Sequence, residues 1–252
     1  MKTSSLRDLS SSARLFVWTG GALFVASLGV CAYHYLVVWG WPSVRAGDFG
    51  PHAARWIVAG HVIPFGAIAA DVLLLTLFAA HHSIFARDPV KTWLAGVIPT
   101  RLIRSVYVWI ASLLLIGVCL LWRPIGVDLY DGTGLRAFAH AAVQLAGLWI
   151  IARAVGGLDP LELAGIHPSS GSSALQTSGP FRWVRHPLYL GWVIAVFGAA
   201  HMTGDRLAFA ATSSLYLVIA VPWEERSLRK TFGEDYARYV RAVRWRIIPF
   251  VY

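Results

Sequence analysis

The chain has 252 residues, of which 57% are hydrophobic and only 14% charged, and it carries a net charge of +9. A soluble domain has about 25% charged residues; here long apolar runs replace them, which excludes a soluble globular protein and points to an all-α, polytopic membrane helix bundle. The basic excess falls in loops between apolar runs, where topology and anionic lipid account for it, so membrane lipids are the expected partner and nucleic acid is not.

Residues 1–14 read as a polar, Ser-rich tail. Residues 15–155 then read as a four-span bundle with apolar runs at Leu15–Trp39, Trp56–Ala80, Ser105–Trp122 and Leu135–Val155. Pro64 is expected to kink the second span, which also carries Asp71. His81–Arg104 reads as a basic loop, and Gly156-Gly157 stops the fourth span. Residues 156–178 form a polar cytosolic loop in which Asp159 and Pro160 can start a short helix over Leu161–Ala164. Ser169–Ser173 reads as mobile.

Residues 179–252 hold a last apolar pair, Leu188–Thr203 and Leu207–Pro222, which makes about six spans in all. Each arm is ~16 residues against ~20 for a perpendicular span, so the second is expected to continue as a helix through Glu224–Phe232. Seventeen of the 22 Lys and Arg lie in the tail, the second and fourth loops and the C-terminal segment. That bias places both termini, and both ends of the last hairpin, in the cytoplasm.

Cys31 and Cys119 each sit in an apolar run and read as small buried hydrophobes. The nine His show neither H-x-x-x-H nor HExxH spacing, so no metal centre is expected. Nothing in these features bears on oligomeric state.

Three pieces of the last 74 residues carry chemistry. Arg182-Trp183-Val184-Arg185-His186-Pro187 is a basic turn whose proline suits the first turn of a helix, where free amide groups and Arg182 and Arg185 attract anions. Gly191 lets a backbone or ligand approach closely. Glu224-Glu225 closes the last apolar helix. Adjacent helical side chains point ~100° apart, so the two carboxylates are expected to take different partners. Glu225 can pair with Arg229 one turn on, or one Glu can face a site and bind a hydroxyl, ammonium or sulfonium. Gly233 then interrupts the helix. A second helix over Glu234–Val243 places Tyr236, Tyr239, Val240 and Val243 on one face and Arg238, Arg241 and Arg244 on another.

The order R-H-P-x-Y-x-G, apolar hairpin, E-E-x-x-L, F-G-x-x-Y and a basic end closing on I-P resembles the integral-membrane methyltransferases over Thr177–Phe250. That superfamily includes isoprenylcysteine carboxyl methyltransferases and phospholipid N-methyltransferases. Upstream, His82-Ser83-Ile84-Phe85-Ala86-Arg87, Lys91, Arg104-Ser105-Val106-Tyr107-Val108 and Trp122-Arg123-Pro124 resemble the branch with methanethiol S-methyltransferases and NnrU-like membrane proteins. His201-Met202-Thr203 is similar to the methanethiol branch as well.

The resemblance implies S-adenosylmethionine as methyl donor and a site at the cytosolic end of the bundle, roofed by the C-terminal helices. By position it puts Arg185, His186, Pro187, Tyr189 and Gly191 on the cofactor side. It brings Glu224 and Glu225 to the cofactor or its sulfonium surroundings, and Tyr236, Tyr239 and Arg244 or Arg246 to the pocket's closure. For a small or lipid-linked thiol acceptor, a cation beside the sulfur favours the thiolate, and Arg87, Arg104 or His82 is expected to supply it. The alternative acceptors are an isoprenylcysteine carboxylate and a phospholipid amine. A non-enzymatic haem-handling or transport protein is the alternative from another class. The expected location is a multi-pass integral membrane protein, in the cytoplasmic membrane if bacterial.

Overall fold

The computed structural model describes residues 10–41, 56–58, 61–85, 87–156, 160–167 and 174–252. The fold class is all-α, and among the described residues five helices are long and apolar enough to cross a membrane. The chain divides into two compact units.

The first unit carries α1 (Ser11–Leu36), α2 (Phe65–Phe85), α3 (Asp88–Ala95), α4 (Thr100–Leu120) and, further along the chain, the short helix Pro160–Leu163. Ser10 caps α1 by accepting the Ala13 N–H at 3.2 Å. α1 packs on α4 through Phe16 and Trp109, whose rings stack at 5.6 Å while the indole N–H donates to the Phe16 carbonyl at 3.0 Å. Gly20 makes that approach possible, since a Cβ there would meet the Trp109 ring at 2.6 Å. The segment after Pro160 lies on α4: Ser105 Oγ donates to the Gly165 carbonyl at 2.6 Å, and Ala164 and Ile166 bury against Val17. Asp71, buried in α2, accepts the Arg123 N–H at 2.9 Å just past the end of α4.

Several boundaries differ from the sequence expectation. The second apolar run begins as two short strands, β1 (Trp56–Val58) and β2 (His61–Ile63), paired antiparallel. Pro64 therefore does not kink a helix. It has no N–H to give, so it suits a helix start, and its carbonyl accepts the Ala67 and Ile68 N–H groups at the head of α2. His81 and His82 lie near the end of α2 rather than in a loop, and α3 occupies the middle of the supposed basic loop. α4 starts five residues earlier than expected, immediately after Pro99. Asp159 and Ser169–Ser173 lie outside the described residues.

The second unit carries β1–β2, β3 (Asp128–Asp131), α5 (Gly134–Val155), α7 (Pro187–Phe197), β4 (His201–Thr203) and α8 (Gly204–Ala242), with Pro160–Leu163 numbered α6. α7 is shorter than the expected span, because Gly198 ends it and the last three residues of the run become β4. β4 pairs antiparallel with β3, and His201 Nε2 sits 2.7 Å from an Asp128 carboxylate oxygen. Asp205, in the first turn of α8, accepts the Ile125 N–H at 3.0 Å. α8 runs past Pro222 through Glu224–Phe232 and breaks at Gly233 (φ 51°, ψ −122°), where the sequence placed an interruption. Ile150, Val184, Leu190, Val221 and Ile247 form the core of this unit.

α5 and α7 meet backbone to backbone. A Cβ on Gly191 would lie 2.7 Å from the Gly147 carbonyl oxygen and 3.0 Å from the Ile151 nitrogen, and one on Gly147 would lie 2.6 Å from the Ala195 nitrogen. Small residues give membrane helices this close packing, which substitutes for a hydrophobic driving force that lipid does not supply. Gly191→Val must push α7 off α5, at a cost of about 1–3 kcal/mol. Its melting temperature in detergent should fall clearly below wild type, while Gly29→Ala, with nothing within 4 Å of its new Cβ, should not move it. Equal losses in the two variants would refute the close-approach argument.

Candidate functional site

The site of the second unit is assembled from the turn before α7, the lower part of α8 and the C-terminal segment. Backbone pairing brings them together first. The Arg185 and His186 N–H groups donate to the Trp245 and Arg246 carbonyls at 2.9 and 2.8 Å. Pro187 starts α7 and fixes the turn's exit, with His186 at the cap position.

Arg185 is the hub. Its Nε donates to Glu225 Oε1 at 2.7 Å, and its Nη1 donates to the Val243 and Arg244 carbonyls at 2.8 and 2.7 Å. Glu225 is 1% exposed. Its carboxylate also has Arg229 Nη2 at 3.5 Å, Arg246 Nε at 3.5 Å and His186 Nε2 at 3.6 Å. The expected Arg229 pair therefore exists but is looser than the Arg185 contact, which spans 40 residues and has no local signal in the sequence.

Glu224 is far more open, with its side chain 44% exposed. Tyr189 donates its hydroxyl to Glu224 Oε2 at 2.7 Å, and its ring stacks on His186 at 5.3 Å. The His186 ring spans the two carboxylates, with Nδ1 3.5 Å from Glu224 and Nε2 3.6 Å from Glu225. This corrects the expectation that adjacent glutamates take different partners. An imidazole has nitrogens on opposite edges, so one ring reaches two diverging side chains.

The roof helix after Gly233 turns its aromatic face inward as its spacing indicated. Tyr236, Tyr239 and Val243 are buried, with Phe181 and Leu175 packed against them. Tyr239 donates to the Phe181 carbonyl at 2.8 Å, whereas the buried Tyr236 hydroxyl has no hydrogen-bond partner among the described residues. Arg182, Arg238, Arg241 and Arg244 are exposed. Gly191 faces α5 rather than the carboxylates.

An open cleft of about 390 Å³ adjoins the network, lined by Arg185, Arg229, Val240, Arg244, Trp245, Arg246 and Tyr252. Arg246 stacks its guanidinium over the Tyr252 ring at 5.1 Å and donates to its hydroxyl at 3.1 Å. Tyr252 belongs to the cleft and was not anticipated. His186, Tyr189, Glu224 and Tyr236 do not line this cleft.

The three residues expected on the acceptor side belong to the first unit. Arg87 is exposed. Arg104 donates through Nε to the Glu162 carbonyl and so helps hold the Pro160–Leu163 segment on α4. His82 is exposed, with Nδ1 2.6 Å from the Tyr107 hydroxyl. His81, beside it, is buried against aromatic rings, a placement that the helix end revealed and the loop reading missed.

Comparison with known proteins bears on this arrangement. A family model described as "Phospholipid methyltransferase" matches residues 163–235. Methanethiol S-methyltransferase 2 of Bradyrhizobium diazoefficiens is 35% identical over 187 residues, 70% of this chain and 71% of that protein. Methanethiol S-methyltransferase of Pseudomonas deceptionensis is 33% identical over 212 residues, 78% of this chain and 75% of the relative. Protein-S-isoprenylcysteine O-methyltransferase of Xenopus laevis is 34% identical over 77 residues, 29% and 27% of the two chains. No solved structure matches. The chain belongs to the membrane methyltransferase family that contains these methanethiol S-methyltransferases.

Proposed function

We infer that the protein transfers a methyl group from S-adenosylmethionine to a small thiol of the methanethiol class. The carrying observation is the carboxylate–histidine–arginine network at Arg185, His186, Glu224 and Glu225, all within the residues that the family model matches. The donor has a carboxylate, an ammonium and a sulfonium, and the residues present suit each. Glu224 is the accessible carboxylate for a cation or a ribose hydroxyl, beside the His186–Tyr189 stack. Arg246 and Arg229 line a cleft fit for an anion. The buried Tyr236 hydroxyl adds an unused hydrogen-bonding group.

When bound, the donor supplies an electrophilic methyl group. The chain's own task is then alignment and exclusion of water more than proton transfer at the donor. Glu225 serves this by position. Held by Arg185 and buried, it fixes the turn carrying His186 and Tyr189 against α8. The bias of Lys and Arg supports a site on the cytoplasmic side of a cytoplasmic membrane, with both termini there. The phospholipid methyltransferase match over residues 163–235 favours, as a second reading, a lipid-borne acceptor for the same donor site.

Labelled S-adenosylmethionine offered with thiols, prenylcysteines and phospholipids to protein in nanodiscs tests both readings. Label in the thioether product supports the first and label in lipid the second. Saturable donor binding that fails to appear would sink both. Glu224→Gln removes one charged hydrogen-bonding partner, about 1.5–3 kcal/mol, so donor affinity should fall tenfold or more with little change in melting temperature. Glu225→Ala instead strands the buried Arg185 guanidinium and should cost about 3–5 kcal/mol of stability. Stability losses in the reverse order would contradict these roles.

The His186 ring adds a pH signature. Burial disfavours its charged form, but hydrogen bonding and attraction from Glu224 and Glu225 outweigh this and raise its pKa above the ordinary 6.5. A raised pKa in the folded state contributes stability in full below pH 6.5, and that contribution is lost as pH rises through the folded-state value. Wild-type melting temperature should therefore decline above that point more steeply than that of His186→Gln. Parallel profiles would mean that the carboxylates do not hold the proton.

A further inference from the structure

The cleft beside Glu225 holds more positive charge than the network uses. Arg185, Arg229, Arg244 and Arg246 all line it, and Glu225 is the one carboxylate in ion-pair reach of any of them among the described residues. Arg185 takes that carboxylate at 2.7 Å, while Arg229 and Arg246 stand off at 3.5 Å, and the buried Arg246 Nε has no hydrogen-bond partner among the described residues. Arg244 lies over the Trp245 ring at 5.4 Å. Four guanidiniums against one carboxylate leave three charges unmatched. The carboxylate of a bound S-adenosylmethionine would match one of these, and two remain.

The same segment has an apolar edge. Phe250 is 85% and Val251 74% exposed, and the Phe250 ring lies 5.4 Å from that of Trp245, which lines the cleft. Phe250 is also the one non-glycine residue in the left-handed region among the described residues, at φ 66°. A bulky side chain rarely takes that conformation, and such outliers point to function. The Val251 and Tyr252 N–H groups close the turn on the Ile248 carbonyl at 3.1 and 3.0 Å, so the fold holds an aromatic ring outside any core. This segment follows α8, and its backbone pairing with Arg185 and His186 sets it where the apolar α7 begins. Arginines and aromatic rings at the start of a membrane helix suit the level of lipid headgroups.

We propose that the cleft and its apolar edge bind an anionic phospholipid, with the phosphate among Arg229, Arg244 and Arg246 and an acyl chain along Trp245, Phe250 and Val251. The guanidinium fork matches phosphate oxygens in pairs, and Arg gives up its hydration more readily than Lys. A free phosphate would use the arginines and leave Phe250 in water. A lipid uses both. This lipid is bound and not methylated, so the proposal goes beyond the methyl-transfer reading and does not rest on it.

Native mass spectrometry of the full chain in neutral detergent counts bound lipid directly. Phosphatidylglycerol should be retained in clear preference to phosphatidylcholine. Arg244→Gln should weaken that retention about fivefold, whereas Arg241→Gln, exposed on the same helix end but outside the cleft, should leave it unchanged. Phe250→Ser should weaken it about tenfold and leave the binding of glycerol phosphate, the headgroup without its chains, as in wild type. Added S-adenosylmethionine should not displace the lipid. Equal retention of the two lipids, or equal losses in Arg241→Gln and Arg244→Gln, would reduce the effect to general surface charge and overturn the proposal. Glycerol phosphate bound as tightly as phosphatidylglycerol, with no effect of Phe250→Ser, would make the ligand a free anion and overturn it too. Displacement by S-adenosylmethionine would give the whole cleft to the donor, overturning the lipid site and leaving methyl transfer standing. If Arg244→Gln melts below wild type, Phe250→Ser, which leaves every arginine in place, decides alone.

Discussion

One buried ion pair governs the second unit. Removing the Glu225 carboxylate and the Arg185 guanidinium from water is expensive, and their attraction offsets this only when the remaining polar atoms are also satisfied. Here they are, because the guanidinium also takes two carbonyls of the C-terminal segment and the carboxylate draws in His186, Arg229 and Arg246. The pair thus ties together three stretches distant in sequence: the turn before α7, the middle of α8 and the chain after Ala242. A hydrophobic replacement of the pair would spare the desolvation cost and lose that three-way registration.

The first unit is held differently. Its helices meet through a glycine under an indole, a serine hydroxyl on a loop carbonyl, and an aspartate that closes the end of α4. Each contact satisfies a polar group inside an apolar surround, as membrane burial demands. The His81 ring nitrogens and Ser112 Oγ depart from this pattern, buried with no hydrogen-bond partner among the described residues.

Much of this was legible in the residues. The apolar runs located α1, α4, α5 and the upper part of α8, because a span needs little more than length and hydropathy. The R-H-P and E-E motifs supplied the residues that meet in the Arg185–His186–Glu224–Glu225 network, and the spacing of Tyr236, Tyr239 and Val243 marked the buried face of the helix after Gly233. The strands at Trp56–Val58 and His61–Ile63 were hidden, since a β-branched apolar run before a proline reads equally as membrane helix. The Arg185–Glu225 pair was hidden because helical spacing offers Arg229 as a local partner, and only the return of the chain brings the stronger one. His81 escaped for a related reason: its neighbour His82 carried the recognisable motif, while burial decides which of the two is unusual.

The break at Gly233 acquires a meaning in lengths. An unbroken α-helix of 39 residues would extend about 58 Å, nearly twice the ~30 Å of a bilayer's hydrocarbon. Along such a rod, Val243 would stand ~27 Å beyond Glu225. Yet one guanidinium, that of Arg185, hydrogen-bonds both the Glu225 carboxylate and the Val243 carbonyl. The glycine's backbone angles, out of reach for ordinary side chains, thus turn a span and its overhang into a rod and a lid, and bring back within one side chain's width what a straight helix would have carried away.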